Sequence, residues 1–119
     1  MKIISLTLNS QFHKLYRRGK SSVSPTMVVY AIKNREGFNR LGITAGKKVG
    51  GAVERNRAKR RIRELYRLMA ENLKCGYDIC IVARGYTPNA PYKKLYSDFV
   101  KVMKAVEVWQ DESTADMVN

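Results

Sequence analysis

The stretch from residue 50 to residue 67, GGAVERNRAKRRIRELYR, places seven Lys or Arg residues on a segment whose apolar residues keep helical spacing. At 100° per residue, the apolar side chains fall on one stripe that covers about a third of the helix circumference. The members of this apolar stripe are Ala58, Ile62, Leu65, Tyr66, Met69 and Leu73. A helix with one apolar face must bury that face. The segment therefore predicts a helix that packs on the core, runs to about Leu73 and is stopped by Gly76.

A second stripe on the same helix is basic. It consists of Asn56, Arg60, Arg63 and Arg67, with Lys59 on its border. Like charges on neighbouring turns repel one another, so a negatively charged partner is expected to offset the cost. A guanidinium group fits pairs of phosphate oxygens, and an asparagine amide can both donate to and accept from a 2′-hydroxyl. These residues predict a phosphate-binding helix.

Arg61 lies outside the basic stripe. Glu64 can reach Arg60 or Arg61 across one turn, in a pair worth a few tenths of a kcal/mol, on the order of other exposed helix pairs. We therefore expect Arg61 to be an ordinary solvated residue and the least functional of the seven basic residues.

The charge of the whole chain supports a polyanionic partner. The formal net charge is +13 over 119 residues, and every basic residue precedes Glu107. We predict a basic domain over residues 1–106 and an acidic tail over residues 107–119. No apolar run approaches the roughly 20 residues that span a bilayer, and the first residues do not match a secretory signal, so a cytoplasmic protein is expected.

The chain offers no arrangement of residues that is typical of a protein active site. Cys75 and Cys80 are five positions apart without a second pair of ligands, and His13 is the only histidine. Cys80 lies in an apolar strand, where a thiol packs like a small hydrophobic group. We expect neither a catalytic residue nor a metal ligand in this protein.

The remaining segments predict a small α+β sandwich. A helix capped by Asn9 or Ser10 runs to about Arg18, and a polar connection follows. Residues 26–34 and 40–47 read as two strands of a hairpin, residues 77–84 as a strand buried on both faces, and residues 91–109 as a helix that begins near Pro91. The order is α, β, β, α, β, α in a single domain. The long basic helix links two strands, and the general rule for such crossovers between parallel strands favours a right-handed one.

The residues from 47 to 64, KKVGGAVERNRAKRRIRE, closely resemble the signature of the protein subunit of bacterial ribonuclease P. The flanking segments FHKLYRRGK, GITAGKK and GYDICIVAR are also similar to that family, and the resemblance extends to about residue 106. It implies the family fold, in which the crossover through the basic helix is left-handed, and we adopt that expectation against the general rule.

The resemblance implies a function as well. Ribonuclease P removes the 5′ leader of precursor tRNA, and its bacterial catalyst is an RNA that binds the Mg²⁺ ions of the reaction. The implied partners are that catalytic RNA and precursor tRNA, with no membrane and no obligate protein partner. The residues that the resemblance places in contact with the catalytic RNA are Arg55, Asn56, Arg57, Lys59, Arg60 and Arg63, with Lys47 and Lys48 before the helix.

A second surface follows from the same resemblance. In the family, a cleft between the first helix and the sheet binds the leader. The matching residues here are Phe12, Tyr16 and Tyr30, with Lys14 and Lys33 nearby in sequence. Aromatic faces stack on unpaired bases with little sequence preference. From helical spacing alone, Phe12 and Tyr16 would be core residues, and only the resemblance makes them partly exposed.

Two other functions share part of this pattern. A ribosomal protein would use the same basic helix to neutralise rRNA, and only the motif spacing and the aromatic residues separate it from the first interpretation. A membrane-surface protein would use a basic amphipathic helix, but it would need the apolar stripe that the core also needs.

Overall fold

Strand pairing places residues 77–83 at the centre of a four-stranded mixed sheet. The computed structural model describes residues 3–110 of the chain. In chain order the elements are α1 (Asn9–Arg18), β1 (Lys20–Val23), β2 (Met27–Lys33), β3 (Arg40–Thr44), α2 (Ala52–Met69), β4 (Tyr77–Ala83) and α3 (Tyr92–Ala105). Short 3-10 turns, Lys47–Val49 and Ala70–Asn72, flank α2. The strand order is β1-β2-β4-β3. The predicted α+β class is confirmed.

Strand β4 is buried on both faces, as its continuous apolar sequence predicts. Ile79, Cys80 and Ile81 have no exposed surface. The strand pairs antiparallel with β2 and parallel with β3. Because a strand that is apolar on both sides needs a neighbour at each edge and a helix layer on each face, the central position is the one that satisfies it.

The predicted hairpin between residues 26–34 and 40–47 is wrong. Strands β2 and β3 do not pair, because β4 inserts between them. The intervening residues 34–39 form a connection in which the Asn34 side chain donates to the carbonyl oxygen of Phe38 and to Asp78 Oδ1. A hairpin would have left β4, the most apolar strand, at an edge of the sheet.

The polar connection predicted after α1 contains a strand that the sequence analysis missed. Strand β1 pairs antiparallel with β2, with Val23 opposite Val28, so these two strands form the real hairpin. The side chain of Ser24 closes it by donating to the carbonyl oxygen of Met27 and accepting from the Met27 N–H. The element order therefore gains one strand. A parallel crossover through α2 is confirmed by the pairing of β3 with β4, and its left-handed sense stays a prediction.

The sheet separates two apolar clusters. Helices α2 and α3 cover one face, where Val29, Ile81, Ile62 and Phe99 are completely buried. Helix α1 covers part of the other face through Leu15, which packs with Leu6 and Cys80. The smaller cluster leaves the rest of its sheet face open to solvent, and this opening becomes one of the two candidate surfaces below.

The helix ends differ in detail from the predictions. The N-cap of α1 is Leu8 rather than Asn9 or Ser10, and the Gln11 side chain accepts from the N–H groups of Thr7 and Leu8. The glutamine carbonyl thus satisfies the N–H groups of the N-cap residue and of the residue before it, which differ from the N2 and N3 donors that a capping serine or asparagine would satisfy. Helix α2 ends at Met69, and the last turn before Leu73 is a 3-10 turn.

The ordered fold extends beyond the predicted boundary at residue 106. Val108 is completely buried, Trp109 bridges to Leu73, and the Gln110 N–H donates to the carbonyl oxygen of Asn72. The packed part of the chain therefore includes the beginning of the predicted acidic tail. Residues 111–119 of that tail lie outside the described residues.

A buried carboxylate joins α3 to the hairpin. Asp98 is 2% exposed and accepts hydrogen bonds from the N–H and the hydroxyl of Thr26, while Lys94 Nζ lies 3.1 Å from its other oxygen. Burial by itself would raise the pKa of Asp98, but these hydrogen bonds and the nearby ammonium outweigh it, so the pKa is lowered. The ionised carboxylate therefore stabilises the folded state.

We expect Asp98→Asn to lower the free energy of unfolding at neutral pH by about 1–3 kcal/mol, because the amide replaces one acceptor oxygen and carries no charge. Since the carboxyl pKa is lower in the folded state, the contribution is present above the ordinary value of 3.8 and is lost as the pH falls through the folded pKa. Urea unfolding at several pH values should show the difference from wild type shrinking only in acid. Glu64→Gln, which alters an exposed carboxylate, is the control. A difference that is the same at all pH values would contradict the assignment.

Candidate nucleic-acid interface

The apolar and basic stripes predicted on α2 lie on different sides of the helix in the structure. The residues of the apolar stripe are buried, with Ala58 and Ile62 completely so, whereas Val53 and Leu68, outside the stripe, are exposed. Asn56, Arg60 and Arg63 are exposed on another side, as is Arg57. Arg55 and Lys59 are half-buried. Because the helix attaches through its apolar stripe, its basic residues are directed away from the sheet.

The exposed charges of α2 have no acidic partner among the residues that the structure describes. Within residues 3–110 the ion pairs join Lys20 to Glu107, Arg40 to Glu36 and Asp78, and Lys94 to Asp98. Neither Glu54 nor Glu64 forms an ion pair with a basic residue of this helix in that part of the chain. The positive potential of the basic stripe is therefore uncompensated by the described residues.

Arg61 is not the solvated residue that the sequence suggested. Its Nη1 donates to the carbonyl oxygens of Thr87 and Pro88 at 2.8 and 2.9 Å, and its Nη2 donates to that of Ala90 at 2.6 Å. Burial and, after it, the charge of Arg57 lower the pKa of the Arg61 guanidinium. Helical spacing cannot reveal these contacts, because the three acceptors are backbone groups that lie more than 20 positions away along the chain.

Two further lysines precede the helix at the carboxyl end of β3. Lys47 and Lys48 are exposed on the 3-10 turn that connects β3 to α2. Gly50 then turns the chain with a φ of 139°, and a Cβ at that position would lie 2.9 Å from Glu54 Cβ. Glycine is therefore required there, and both lysines lie just before the turn that leads into the basic helix.

The predicted aromatic residues do come together on the open face of the sheet. The rings of Tyr16 and Tyr30 meet edge to face with their centroids 4.9 Å apart, and Tyr16 is 45% exposed. Phe12 lies against Gly42, where a Cβ would stand 2.5 Å from the phenyl ring. The absence of a side chain at Gly42 thus lets the Phe12 ring pack against β3. We call Phe12, Tyr16 and Tyr30 the aromatic cleft.

The phenol of Tyr16 is fixed by a buried thiol. Its hydroxyl lies 3.6 Å from Cys80 Sγ. Burial and the hydrogen bond with Cys80 raise the pKa of Tyr16 to about 12, and burial raises that of Cys80. Both groups are therefore neutral near pH 7, so the cleft presents an uncharged ring that does not repel phosphate groups.

Strand register adds residues to the cleft that the sequence analysis missed. Val28, Val82 and Thr44 are aligned across β2, β4 and β3, one row beyond Tyr30 and Cys80. All three are half-buried. Alternation along a strand shows that Val28 and Tyr30 share a face, but only the pairing of β4 between β2 and β3 brings the row together.

The two lysines predicted near the cleft are not brought to it. Lys33 follows Met27, Val29 and Ala31 at two-residue intervals along β2, so its side chain is on the same face of the sheet as theirs. Those three side chains pack in the core under α2 and α3, on the face of the sheet opposite the aromatic cleft. Lys14 is two residues before Tyr16 and therefore lies on nearly the opposite side of α1. Both side chains are exposed.

The aromatic cleft and the basic stripe meet at one place. A surface pocket of about 170 Å³ at the outer edge of β3 is lined by both Phe12 and Arg63, together with Gly42. The N-terminal residues Ile3 and Ser5 complete its wall. The two surfaces are thus adjacent, although α1 and α2 cover opposite faces of the sheet.

The described residues also bear on a metal-binding and a membrane-associated role. Within residues 3–110, His, Cys, Asp and Glu side chains form no group of three or more that could hold a metal ion. None of the helices described is long and apolar enough to cross a membrane. The apolar stripe of α2 is buried in the core, so it is not free to enter a lipid surface.

Comparison with known proteins decides the family. The family model described as Ribonuclease P matches residues 2–107. The chain belongs to the ribonuclease P protein family. The ribonuclease P protein component of Clostridium botulinum strain Langeland is 42% identical over 110 residues, which cover 92% of this chain and 99% of that protein. The corresponding protein of Alkaliphilus oremlandii is 40% identical over 91% of this chain and 96% of its own length. Family membership decides against the ribosomal-protein interpretation.

Solved structures of ribonuclease P proteins share this fold. The Staphylococcus aureus RNase P protein superimposes with a TM-score of 0.79 at 31% identity, over 92% of this chain and 100% of that one. The Thermotoga maritima RNase P protein gives a TM-score of 0.75 at 26% identity, over 87% and 96% of the two chains. The four-stranded mixed sheet with three helices is therefore the fold of this family.

Proposed function

We propose that this ribonuclease P protein binds the catalytic RNA through α2 and the 5′ leader of precursor tRNA through the aromatic cleft, and so assists endonucleolytic removal of the leader. Family membership supports the coarser part, a protein component of an endoribonuclease complex in tRNA processing. The observation that carries the finer part is the basic stripe of α2, which is exposed and lacks an acidic partner among the described residues.

The residues assigned to the catalytic RNA lie on or before α2. They are Lys47, Lys48, Arg55, Asn56, Arg57, Lys59, Arg60 and Arg63. Phosphate groups supply the negative charge that this surface lacks, and release of their counterions adds a favourable, salt-dependent term. Arg61 is left out, because its guanidinium donors already serve the loop before α3.

The aromatic cleft suits a single strand. Tyr16 and Tyr30 offer neutral rings for stacking, while Val28, Val82 and Thr44 provide a half-buried floor beside them. Stacking on aromatic rings tolerates any base, which fits leaders of varied sequence. Lys14 and Lys33 are not part of this contact, since their side chains lie away from it.

The chemistry is assigned to the RNA subunit. Mg²⁺ can activate a water molecule for phosphodiester hydrolysis, and such an ion needs several oxygen ligands. Among residues 3–110, no group of three or more His, Cys, Asp or Glu side chains could hold such an ion. We assign the Mg²⁺ of the reaction to the RNA subunit, as the resemblance to bacterial ribonuclease P implies. The protein then contributes charge neutralisation and positioning of the substrate. The proposed partners are therefore RNA molecules, and no obligate protein partner is proposed. The proposed location is the cytoplasm.

The direct test adds the protein to a bacterial ribonuclease P RNA at low Mg²⁺ and follows cleavage of a precursor tRNA that carries a leader. We expect faster release of the leader, because the protein supplies cationic groups that high Mg²⁺ would otherwise replace. Binding to ribosomal RNA is measured in parallel. Unchanged cleavage together with tight binding to ribosomal RNA would refute the proposal.

Arg60→Ala should weaken binding to the catalytic RNA and lower the slope of log K against log salt concentration by about one, since one phosphate contact is lost. Filter binding over a range of salt concentrations measures both quantities. Lys101→Ala is the matched control, because it removes an exposed cation that lies on α3 rather than on α2. Equal effects of the two substitutions would mean that only net charge matters.

Tyr16→Ala should reduce the preference of the holoenzyme for precursor tRNA over mature tRNA by roughly 5- to 150-fold, the loss expected for one stacked base. Tyr16→Phe keeps the ring and should keep most of the preference. Affinities for the two tRNA forms are compared with the same catalytic RNA. If both forms lose affinity equally, the cleft does not bind the leader.

A further inference from the structure

The loop of residues 84–90 lies beside the entrance to the basic helix. Strands β3 and β4 are parallel neighbours, so their carboxyl ends share one edge of the sheet. Lys47 and Lys48 follow β3 at this edge, and the loop follows β4. The two segments approach each other closely, since a Cβ at Gly85 would lie 3.5 Å from the carbonyl oxygen of Lys48.

This loop is held in place by buried hydrogen bonds. Thr87 is completely buried, and its hydroxyl accepts from the N–H of Arg84 and donates to the carbonyl oxygen of Thr26. Arg84 Nη1 donates to the carbonyl oxygen of Ser24. From the other side, Arg61 of α2 donates to three carbonyl oxygens of the loop backbone, those of Thr87, Pro88 and Ala90. The loop is therefore a rigid extension of α2.

One large side chain of this rigid loop is left in water. Tyr86 is 46% exposed, although Thr87, Pro88 and Ala90 on the same loop are buried. Its carbonyl oxygen accepts from the N–H groups of Asn89 and Ala90, so its backbone position is fixed. A half-exposed aromatic ring on a fixed backbone, next to exposed lysines, has the chemistry of a stacking contact for an unpaired base.

We propose that Tyr86 stacks on an unpaired nucleobase of an RNA bound along α2, and that Arg61 is the positioning residue that holds Tyr86 beside Lys48. The inference rests on the proposed function, because it takes α2 as the RNA-binding helix. It adds a contact that neither the basic stripe nor the aromatic cleft includes. It also gives Arg61 a role in RNA binding through the loop rather than through its own charge.

An RNA strand fits the surface around Tyr86 better than a lipid surface does. Lys48 lies close to Gly85 of the loop and Arg57 lies close to Arg61, and these exposed cations, with Lys47, match phosphate groups on either side of a stacked base. A lipid surface would need a broader apolar patch, and the other side chains exposed on the loop are Arg84 and Asn89. The RNA can be the catalytic RNA or the precursor tRNA, and separate arms of the test distinguish them.

The test compares Tyr86→Ala, Tyr86→Phe and the matched control Phe38→Ala. Phe38 is 40% exposed and lies between β2 and β3, at the opposite edge of the sheet. One arm measures affinity for the catalytic RNA alone, and the second measures affinity of the assembled holoenzyme for precursor tRNA. Tyr86→Ala should lose roughly 5- to 150-fold in one arm, whereas Tyr86→Phe and Phe38→Ala should stay close to wild type.

The salt dependence separates stacking from a charge effect. Tyr86→Ala should leave the slope of log K against log salt concentration unchanged, while Arg60→Ala lowers it. A loss in the first arm assigns the base to the catalytic RNA, and a loss in the second arm alone assigns it to the substrate. Wild-type affinity in both arms, or an equal loss with Tyr86→Phe, overturns the inference. If Arg60→Ala still weakens binding in that case, the proposed function stands without it.

The role of Arg61 is tested by a double-mutant cycle. Arg61→Ala should weaken RNA binding when Tyr86 is present. It should have little further effect in the Tyr86→Ala background, because both substitutions remove the same contact, the stacking of Tyr86 on the base. Arg61→Lys, which lacks the planar fork, should behave like Arg61→Ala while keeping the charge. Circular dichroism confirms that each variant is folded. Additive losses in the cycle would show that Arg61 acts by its own charge and would overturn its positioning role.

Discussion

The burial of β4 on both faces is the constraint on which the rest of the structure depends. A strand with no exposed surface at Ile79, Cys80 and Ile81 needs helices above and below it and strands at both edges. Strands β2 and β3 supply the edges, α2 and α3 cover one face, and α1 covers part of the other. Because α1 is short, part of that second face stays open, and the aromatic cleft forms there.

The parallel pairing of β3 with β4 then determines where charge accumulates. Their carboxyl ends meet at one edge, so the start of α2, its preceding lysines and the loop of residues 84–90 gather in the same region. Open sheets with parallel strands commonly bind ligands at this edge for the same reason. Here the apolar stripe of α2 fixes the rotation of the helix, and the opposite side is left cationic.

The arginines of α2 show that residue type alone does not assign a role. Arg60 and Arg61 are adjacent and chemically identical, yet Arg60 is exposed while Arg61 donates to three backbone carbonyl oxygens. A difference of 100° around the helix axis separates them. One direction leads to solvent and any bound polyanion, and the other leads to a loop that needs its carbonyl groups satisfied.

The sequence by itself determined the elements that depend on local periodicity. These are the two stripes of α2, the double burial of residues 77–83, and the family to which the chain belongs. The tertiary structure alone decided which strands pair, the existence of β1, the partners of Arg61, and the faces on which Lys14 and Lys33 lie. Those features depend on contacts between distant residues, such as Arg61 with Ala90 or Tyr30 with Cys80. The spacing of residues along the chain does not predict such contacts, because many strand orders are compatible with the same alternation of apolar residues.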